Sequence, residues 1–272
     1  MSNEINFLSI EGLIASGKST FISILRNSCI AEKYAIFIIE EPIQKCMNFS
    51  GENLLHAFYN DPKKHAFQFQ LLMLLARLKA YQECINSIKV LDKPILLISE
   101  RSVYSDIHVF SQLYHDKGYI SETDFNLLKF ALQTSNKPHL DGVIFINTRY
   151  STMQHRINSR GRTGENHVTA VHQKNIHDCY KKLMRDLTCP SITVTTDSMF
   201  LQPASPASVR SIIECVDVFL TNIIKFKKFP PLILNLEVFE RKSLDDFTDD
   251  ESDGEDEKPH KLTIIKYLRK FI

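Results

Sequence analysis

Four short stretches carry side chains able to work on a phosphate. Gly12-Leu13-Ile14-Ala15-Ser16-Gly17-Lys18-Ser19 fits the spacing G-x-x-x-x-G-K-[ST] and is followed by Thr20. Glycines at both ends of such a loop let successive N–H groups turn toward one point, and a helix starting beneath them adds partial positive charge. Lys18 would span the outer phosphates of a nucleoside triphosphate, and Ser19 would ligate its magnesium ion. A glycine-rich turn without a ligand is the alternative, and the apolar runs on either side weigh against it. The motif predicts ATP or GTP binding and is silent on the reaction.

The other three stretches speak to the acceptor. In Glu40-Glu41-Pro42 a carboxylate could deprotonate a hydroxyl; taken alone, a solvated acid at a strand end is the better reading. In Glu100-Arg101-Ser102 the acid could reach magnesium and the arginine could clamp a phosphate, although an ion pair at a sheet edge would look the same. "HRINSRGRTGE" supplies Arg156, Arg160 and Arg162. On a helix 156 and 160 share a face, and Gly161 should end that helix before a flap. Three converging arginines could neutralise a phosphoryl group in transit; a solvated basic face is the alternative.

These motifs need a scaffold that brings strand ends together. "INFLSI", "YAIFIIEEP", "KPILLISERS", "DGVIFINT" and "SITVTT" read as five buried strands, with helical patterns between them. Residues 63–90 read as one long helix with apolar positions 67, 71, 74, 75 and 78. The alternation predicts an α/β fold, a five-stranded parallel sheet with helices on both faces and a lid, which binds ligands at the carboxyl ends of its strands. The pattern covers residues 1–226. Pro230 and Pro231 then break it, and 227–272 reads as a C-terminal extension with a disordered acidic run over 245–257.

Composition narrows the classes. Hydrophobic residues make up 43% of the 272, enough for a large core. No apolar run approaches the roughly 20 residues of a membrane helix, and the first strand begins by Ile5, leaving little room for a targeting peptide. The six cysteines form no C-x-x-C pair, which suits reduced thiols in the cytoplasm or nucleus. Nine carboxylates and no base lie between Asp245 and Glu257; without them the formal charge of +1 becomes about +10. Such a body suits an anionic ligand. Neither a basic–aromatic array for nucleic acid nor a membrane segment is present in the sequence.

With these residues in place, the sequence resembles the deoxyribonucleoside kinases, in their deoxycytidine/deoxyguanosine branch. The matching segments are "EGLIASGKSTFISIL", "EEPIQK", "NLLHAFYNDPKKHAFQFQ", "SERSVYSD", "LDGVIFI" and "HRINSRGRTGE", in order, from Glu11 to Glu165. The resemblance implies a P-loop kinase fold, ATP and Mg2+, a homodimer formed through helices, and 5′-phosphorylation of deoxynucleosides for nucleotide salvage. It implies Glu41 as general base, Arg101 beside the reacting hydroxyl, and Glu100 with Ser19 near magnesium. Gly12, Ile14, Ala15, Ser16, Gly17, Lys18, Ser19 and Thr20 would hold ATP, with Arg156, Arg160 and Arg162 as lid arginines. Tyr59 and Glu165 would hold the sugar 3′-hydroxyl, Gln70 would bond the base, and Phe69 and Phe110 would sandwich it.

Arg77 and Asp106 match a pair at the base edge. An arginine donates to a ring nitrogen and an aspartate accepts from an exocyclic amine, so cytosine and adenine suit the pair and thymine does not. The alternative is that the two simply pair with each other. Three positions depart from the family: Cys46 where a tryptophan is usual, Met73 where the deoxycytidine-type enzymes are small, and Gly164 in the lid. They bear on substrate range. A nucleoside monophosphate kinase on the same fold and an inactive scaffold subunit are the rival readings. The first needs no base for a 5′-hydroxyl, and the second would have no reason to keep Lys18, Glu41 and the lid arginines.

Overall fold

A computed structural model describes residues 5–89, 91–161, 168–196, 206–226 and 235–236. Arg162, Gly164, Glu165 and the acidic run 245–257 lie outside them. The first half runs β1 (Ile5–Gly12), α1 (Lys18–Arg26), α2 (Ile30–Lys33), β2 (Ala35–Ile39), α3 (Ile43–Met47), α4 (Leu54–Asn60), α5 (Pro62–Ser87) and β3 (Ile95–Glu100). A continuous helical run follows: α6 (Val103–Ser105), a π-helix (Asp106–Ser111) and α7 (Gln112–Asp116). The remainder is α8 (Glu122–Thr134), β4 (Gly142–Asn147), α9 (Tyr150–Arg160), α10 (Ala170–Asp186), β5 (Ser191–Thr195), α11 (Pro206–Phe226) and β6 (Asn235–Leu236).

All strands pair in parallel, in the order β2-β3-β1-β4-β5-β6. The five expected strands form. The sequence reading missed the sixth because two residues carry no periodicity; it extends the sheet beside β5, beyond residue 226. β1 and β3 are buried almost throughout, which explains their unbroken apolar runs. Alternate residues feed opposite layers. Leu8, Ile10, Ile98 and Ile144 pack with Phe21 and Leu25 of α1 and Val216 and Phe219 of α11. Phe7, Leu97 and Val143 pack on the other face beside Tyr81 and Ile85 of α5. The chain leaves β1 toward β2 on one side and crosses to β4 on the other. The switch point therefore lies at the carboxyl ends of β1 and β3, where an open α/β sheet binds its ligand.

Helix α5 forms as expected and departs from its expected apolar stripe at one position. Asp61 caps it, accepting a hydrogen bond from the Lys64 N–H, and Pro62 sits in its first turn. Its buried side is Ala66, Phe69, Gln70, Met73, Leu74, Ala76 and Arg77. Of the apolar stripe expected at 67, 71, 74, 75 and 78, only Leu74 is buried, and Leu75 is exposed. Phe67, Leu71 and Leu78 pack, partly buried, on the same core as Leu74, so Leu75 alone departs from the stripe, and the polar Gln70 and Arg77 complete the inward face.

Candidate active site

The phosphate loop leaves β1 through Gly12 (φ +147°) and enters α1 through Gly17 (φ +95°). A side chain at Gly12 would put its Cβ 2.7 Å from both the Ile146 carbonyl and Ser16 Oγ, so only glycine fits. The loop is anchored from outside. Thr148 Oγ1 donates to the Ser16 carbonyl (2.8 Å). The amide of Gln173 clamps Ile14 twice: Nε2 donates to its carbonyl (2.8 Å) and Oε1 accepts from its N–H (3.2 Å). Arg156 Nη1 donates to the Ala15 carbonyl (3.1 Å).

Lys18 is buried and donates to the Leu13 carbonyl (3.0 Å). Burial, with Arg101 nearby, brings its ammonium down to about 8, despite Glu100, Glu41 and Glu11. A bound polyphosphate would reverse that and hold it charged. Ser19 Oγ donates to Glu100 Oε2 (2.8 Å). Two hard oxygens this close suit a magnesium ion that keeps water and phosphate as its other ligands, so these residues fit the implied group.

Arg101 occupies the elbow between β3 and α6. Ser102 starts α6 with a reciprocal cap to Ser105, and the chain turns sharply before it. Arg101 therefore sits at φ +63°, a conformation costing a non-glycine residue about 1–3 kcal/mol. Its backbone is held on both sides: its N–H donates to the Ile10 carbonyl (3.0 Å), and its carbonyl accepts from Ser99 Oγ (2.7 Å). Its Nε donates to Glu41 Oε1 (2.9 Å), its Nη1 to the Gly12 carbonyl (2.8 Å), and its guanidinium lies over the Phe110 ring.

Of the two adjacent acids after β2, Glu40 is exposed, whereas Glu41 lines the cavity with Lys18 and Arg101. Burial pushes the Glu41 carboxyl up, but Arg101, Lys18 and Arg77 outweigh it and hold the group below its usual range. Glu41 Oε2 has no partner among the described residues, so it is open to a ligand proton.

Ile14, Ala15, Gly17, Lys18, Ser19, Thr20, Glu41, Tyr59, Phe69, Gln70, Met73, Glu100, Arg101, Asp106, Phe110, Arg156 and Arg160 line this single cavity. Three expected contacts do not. Gly12 and Ser16 are buried within the loop, where they shape it. Arg77 lies behind Asp106: Nε donates to Asp106 Oδ2 (2.7 Å) and Nη2 to Oδ1 (3.2 Å), while Nη1 reaches the Glu100 carbonyl (2.5 Å). Asp106 alone of the pair faces the cavity, because the π-helix directs it and Phe110 inward together. Gln70 is buried too, and its side-chain amide has no partner among the described residues.

The residue-type reading missed four pocket walls, Ile43, Leu55, Phe58 and Tyr114. It also missed Glu11, Gln173 and Tyr180, which support the site from behind. Glu11 is an acid inside a buried strand, a signal in itself. Gln173 and Tyr180 lie seven residues apart on the buried face of α10, beside Ile176.

A phosphate loop opening a helix at the switch point of a parallel sheet, with a carboxylate–arginine pair facing it, defines a P-loop phosphotransferase. The deoxynucleoside kinase family model matches residues 8–221. A probable deoxycytidine kinase of fowlpox virus is 29% identical over 209 residues, covering 74% of this chain and 83% of the relative. Human deoxycytidine kinase is 30% identical over 191 residues (62% and 72%). The mitochondrial deoxyguanosine kinase of Xenopus laevis is 27% identical over 203 residues (68% and 75%). The chain belongs to the deoxynucleoside kinase family, and its catalysis is phosphoryl transfer to an alcohol.

Proposed function

We propose that the protein moves the γ-phosphoryl group of ATP to the 5′-hydroxyl of a deoxynucleoside whose base carries an exocyclic amine. Deoxycytidine is the favoured substrate, purine deoxynucleosides follow, and thymidine is poor. The resulting monophosphate would feed DNA precursor salvage. One observation carries this reading: the buried Gln70 amide, without a partner among the described residues, and the Asp106 carboxylate face the same cavity as Glu41 and Lys18.

Glu41 takes the hydroxyl proton at Oε2, while Arg101 fixes its other oxygen and keeps it ionised. Lys18 and the loop N–H groups bind the donor phosphates, and Arg156 and Arg160, with Arg162, meet the group in transit. Ser19 and Glu100 would hold magnesium, which when bound neutralises phosphate charge. Tyr59, with Glu165, grips the sugar. A nucleoside monophosphate kinase has an acceptor that is already an anion and needs no base such as Glu41, so assays with the nucleoside and with its monophosphate separate the two readings.

Base choice follows from hydrogen-bond accounting. Asp106 accepts from an amine, and thymine presents a carbonyl there instead. Leaving a buried polar group unpaired costs about 1–3 kcal/mol, so kcat/KM for thymidine should fall about 10- to 100-fold below that for deoxycytidine. Equal or greater kcat/KM for thymidine in a coupled assay would defeat the base-reading argument. Met73 lies on this wall, its Sδ 3.3 Å from Cys46 Sγ, and narrows the space for a purine.

The assembly proposed with this activity is a homodimer. Its support is apolar surface on two helices that pack together: Leu75 of α5 and Leu127 and Phe130 of α8 are 49%, 51% and 61% exposed. A monomer in sedimentation velocity at micromolar concentration would overturn it.

A further inference from the structure

Arg101 has a third tether. Its Nη1 also donates to the hydroxyl of Tyr180 (2.5 Å), which in turn donates to Glu11 Oε2 (2.9 Å). Ser9 Oγ donates to the other oxygen of Glu11. Tyr180 and Ser9 are fully buried, Glu11 is 1% exposed, and none of the three lines the cavity. A carboxylate sealed beneath the central strand needs donors, and it finds two hydroxyls rather than a direct cation. Tyr180 links the two charges: its proton goes to Glu11, and its lone pair receives Arg101. Phe145 and Phe110 pack edge-on against the Tyr180 ring and fix its direction. Gln173, two turns earlier on α10, clamps the phosphate loop, so one helix braces both the donor loop and the catalytic arginine.

We propose that Tyr180, backed by Glu11, is a positioning residue for the reaction: it holds the Arg101 guanidinium in the orientation that keeps Glu41 paired at Oε1 and open at Oε2. The inference rests on the roles given to Glu41 and Arg101 above. Three N–H groups of Arg101 are directed to Glu41, Gly12 and Tyr180 on three different elements. The Tyr180 hydroxyl is the tether reached only through α10. Without it, the Arg101 side chain is held by Glu41, the Gly12 carbonyl and the Phe110 ring, and the first of these weakens when Glu41 accepts a proton.

The test is Tyr180→Phe, which keeps the ring and removes only the hydroxyl. With ATP and deoxycytidine, kcat should fall about tenfold while the KM of each substrate stays within about twofold, because the tether acts on the reacting groups and not on the binding surfaces. The same substitution in an Arg101→Lys background should cost less than twofold, since the partner through which Tyr180 acts is gone. Glu11→Gln, which keeps shape and removes the charge, should lower kcat in the same direction and serves if Tyr180→Phe folds poorly. Wild-type kcat in Tyr180→Phe, or an equal penalty in both backgrounds, would overturn the proposal. Glu41→Gln measured alongside separates the two layers. If that variant turns over normally, the reading of the site fails; if it is inactive while Tyr180→Phe is unimpaired, only the positioning role fails.

Discussion

Glu41→Ala should lower kcat by about 10²–10⁴-fold, the range for losing a positioned general base, and leave ATP affinity within a few-fold. The split follows from where the side chain is tethered. ATP would be gripped by the loop from Gly12 to Thr20, which is anchored by Thr148, Gln173 and Arg156 without help from Glu41. Among the described residues the Glu41 carboxylate hydrogen-bonds to Arg101, and it meets the loop's Lys18 through charge alone. Alanine also frees Arg101 Nε, so Glu41→Gln is the cleaner companion: its amide oxygen still accepts from Arg101 but has little basicity for a hydroxyl proton. Both variants should stay folded, because the Glu41 side chain is 23% exposed and its loss leaves no sealed cavity. Steady-state kinetics with deoxycytidine, paired with calorimetric ATP titration, reads the two effects separately. Turnover near wild type in either variant would remove Glu41 from the chemistry.

The donor half of this site was legible because its chemistry is local. Lys18 and Ser19 stand at fixed offsets from Gly12 and Gly17, and a loop of that spacing between a strand and a helix has few other uses. The strands were legible because burial on both sides of a parallel sheet leaves an unbroken apolar run. The acceptor half depended on resemblance, since Glu41, Tyr59, Gln70 and Asp106 are ordinary polar residues until the fold collects them. Contacts over long separations left no trace that one sequence could show: Ile14 to Gln173 spans 159 positions and Glu11 to Tyr180 spans 169. The inward face of α5 was obscured for a related reason. Gln70 and Arg77 occupy core positions as polar residues, and a hydrophobicity pattern treats them as surface. A polar residue at core spacing inside a long helix is the signal that would have found them.

Arg77 and Asp106 give the second large effect: they form a sealed ion pair, and Asp106 is the proposed reader of the base. Their side chains are each 3% exposed, and the contact is bidentate. Burial raises the Asp106 carboxyl while Arg77 pulls it back, and Asp106 together with Glu41 keeps the Arg77 guanidinium charged despite its own burial. Asp106→Ala strips one partner and leaves a guanidinium bonded only to the Glu100 and Arg101 carbonyls. Losing half of a buried pair costs about 3–5 kcal/mol, so the melting temperature should fall on the order of 10 °C for a domain of this size. The double variant Arg77→Met/Asp106→Ala removes both charges and should recover most of that loss, since apolar replacements for a buried pair are often neutral. Differential scanning calorimetry of the three proteins decides it. A single variant as stable as wild type, or a double variant no better than the single, would show that the pair is not sealed as described. Substrate preference should move with the same substitutions. Without Asp106 the wall loses its amine acceptor, so the ratio of kcat/KM for deoxycytidine over thymidine should collapse toward one. If stability falls and the ratio holds, the pair is structural and the base is read elsewhere in the cavity, with the Gln70 amide as the polar group left to do it.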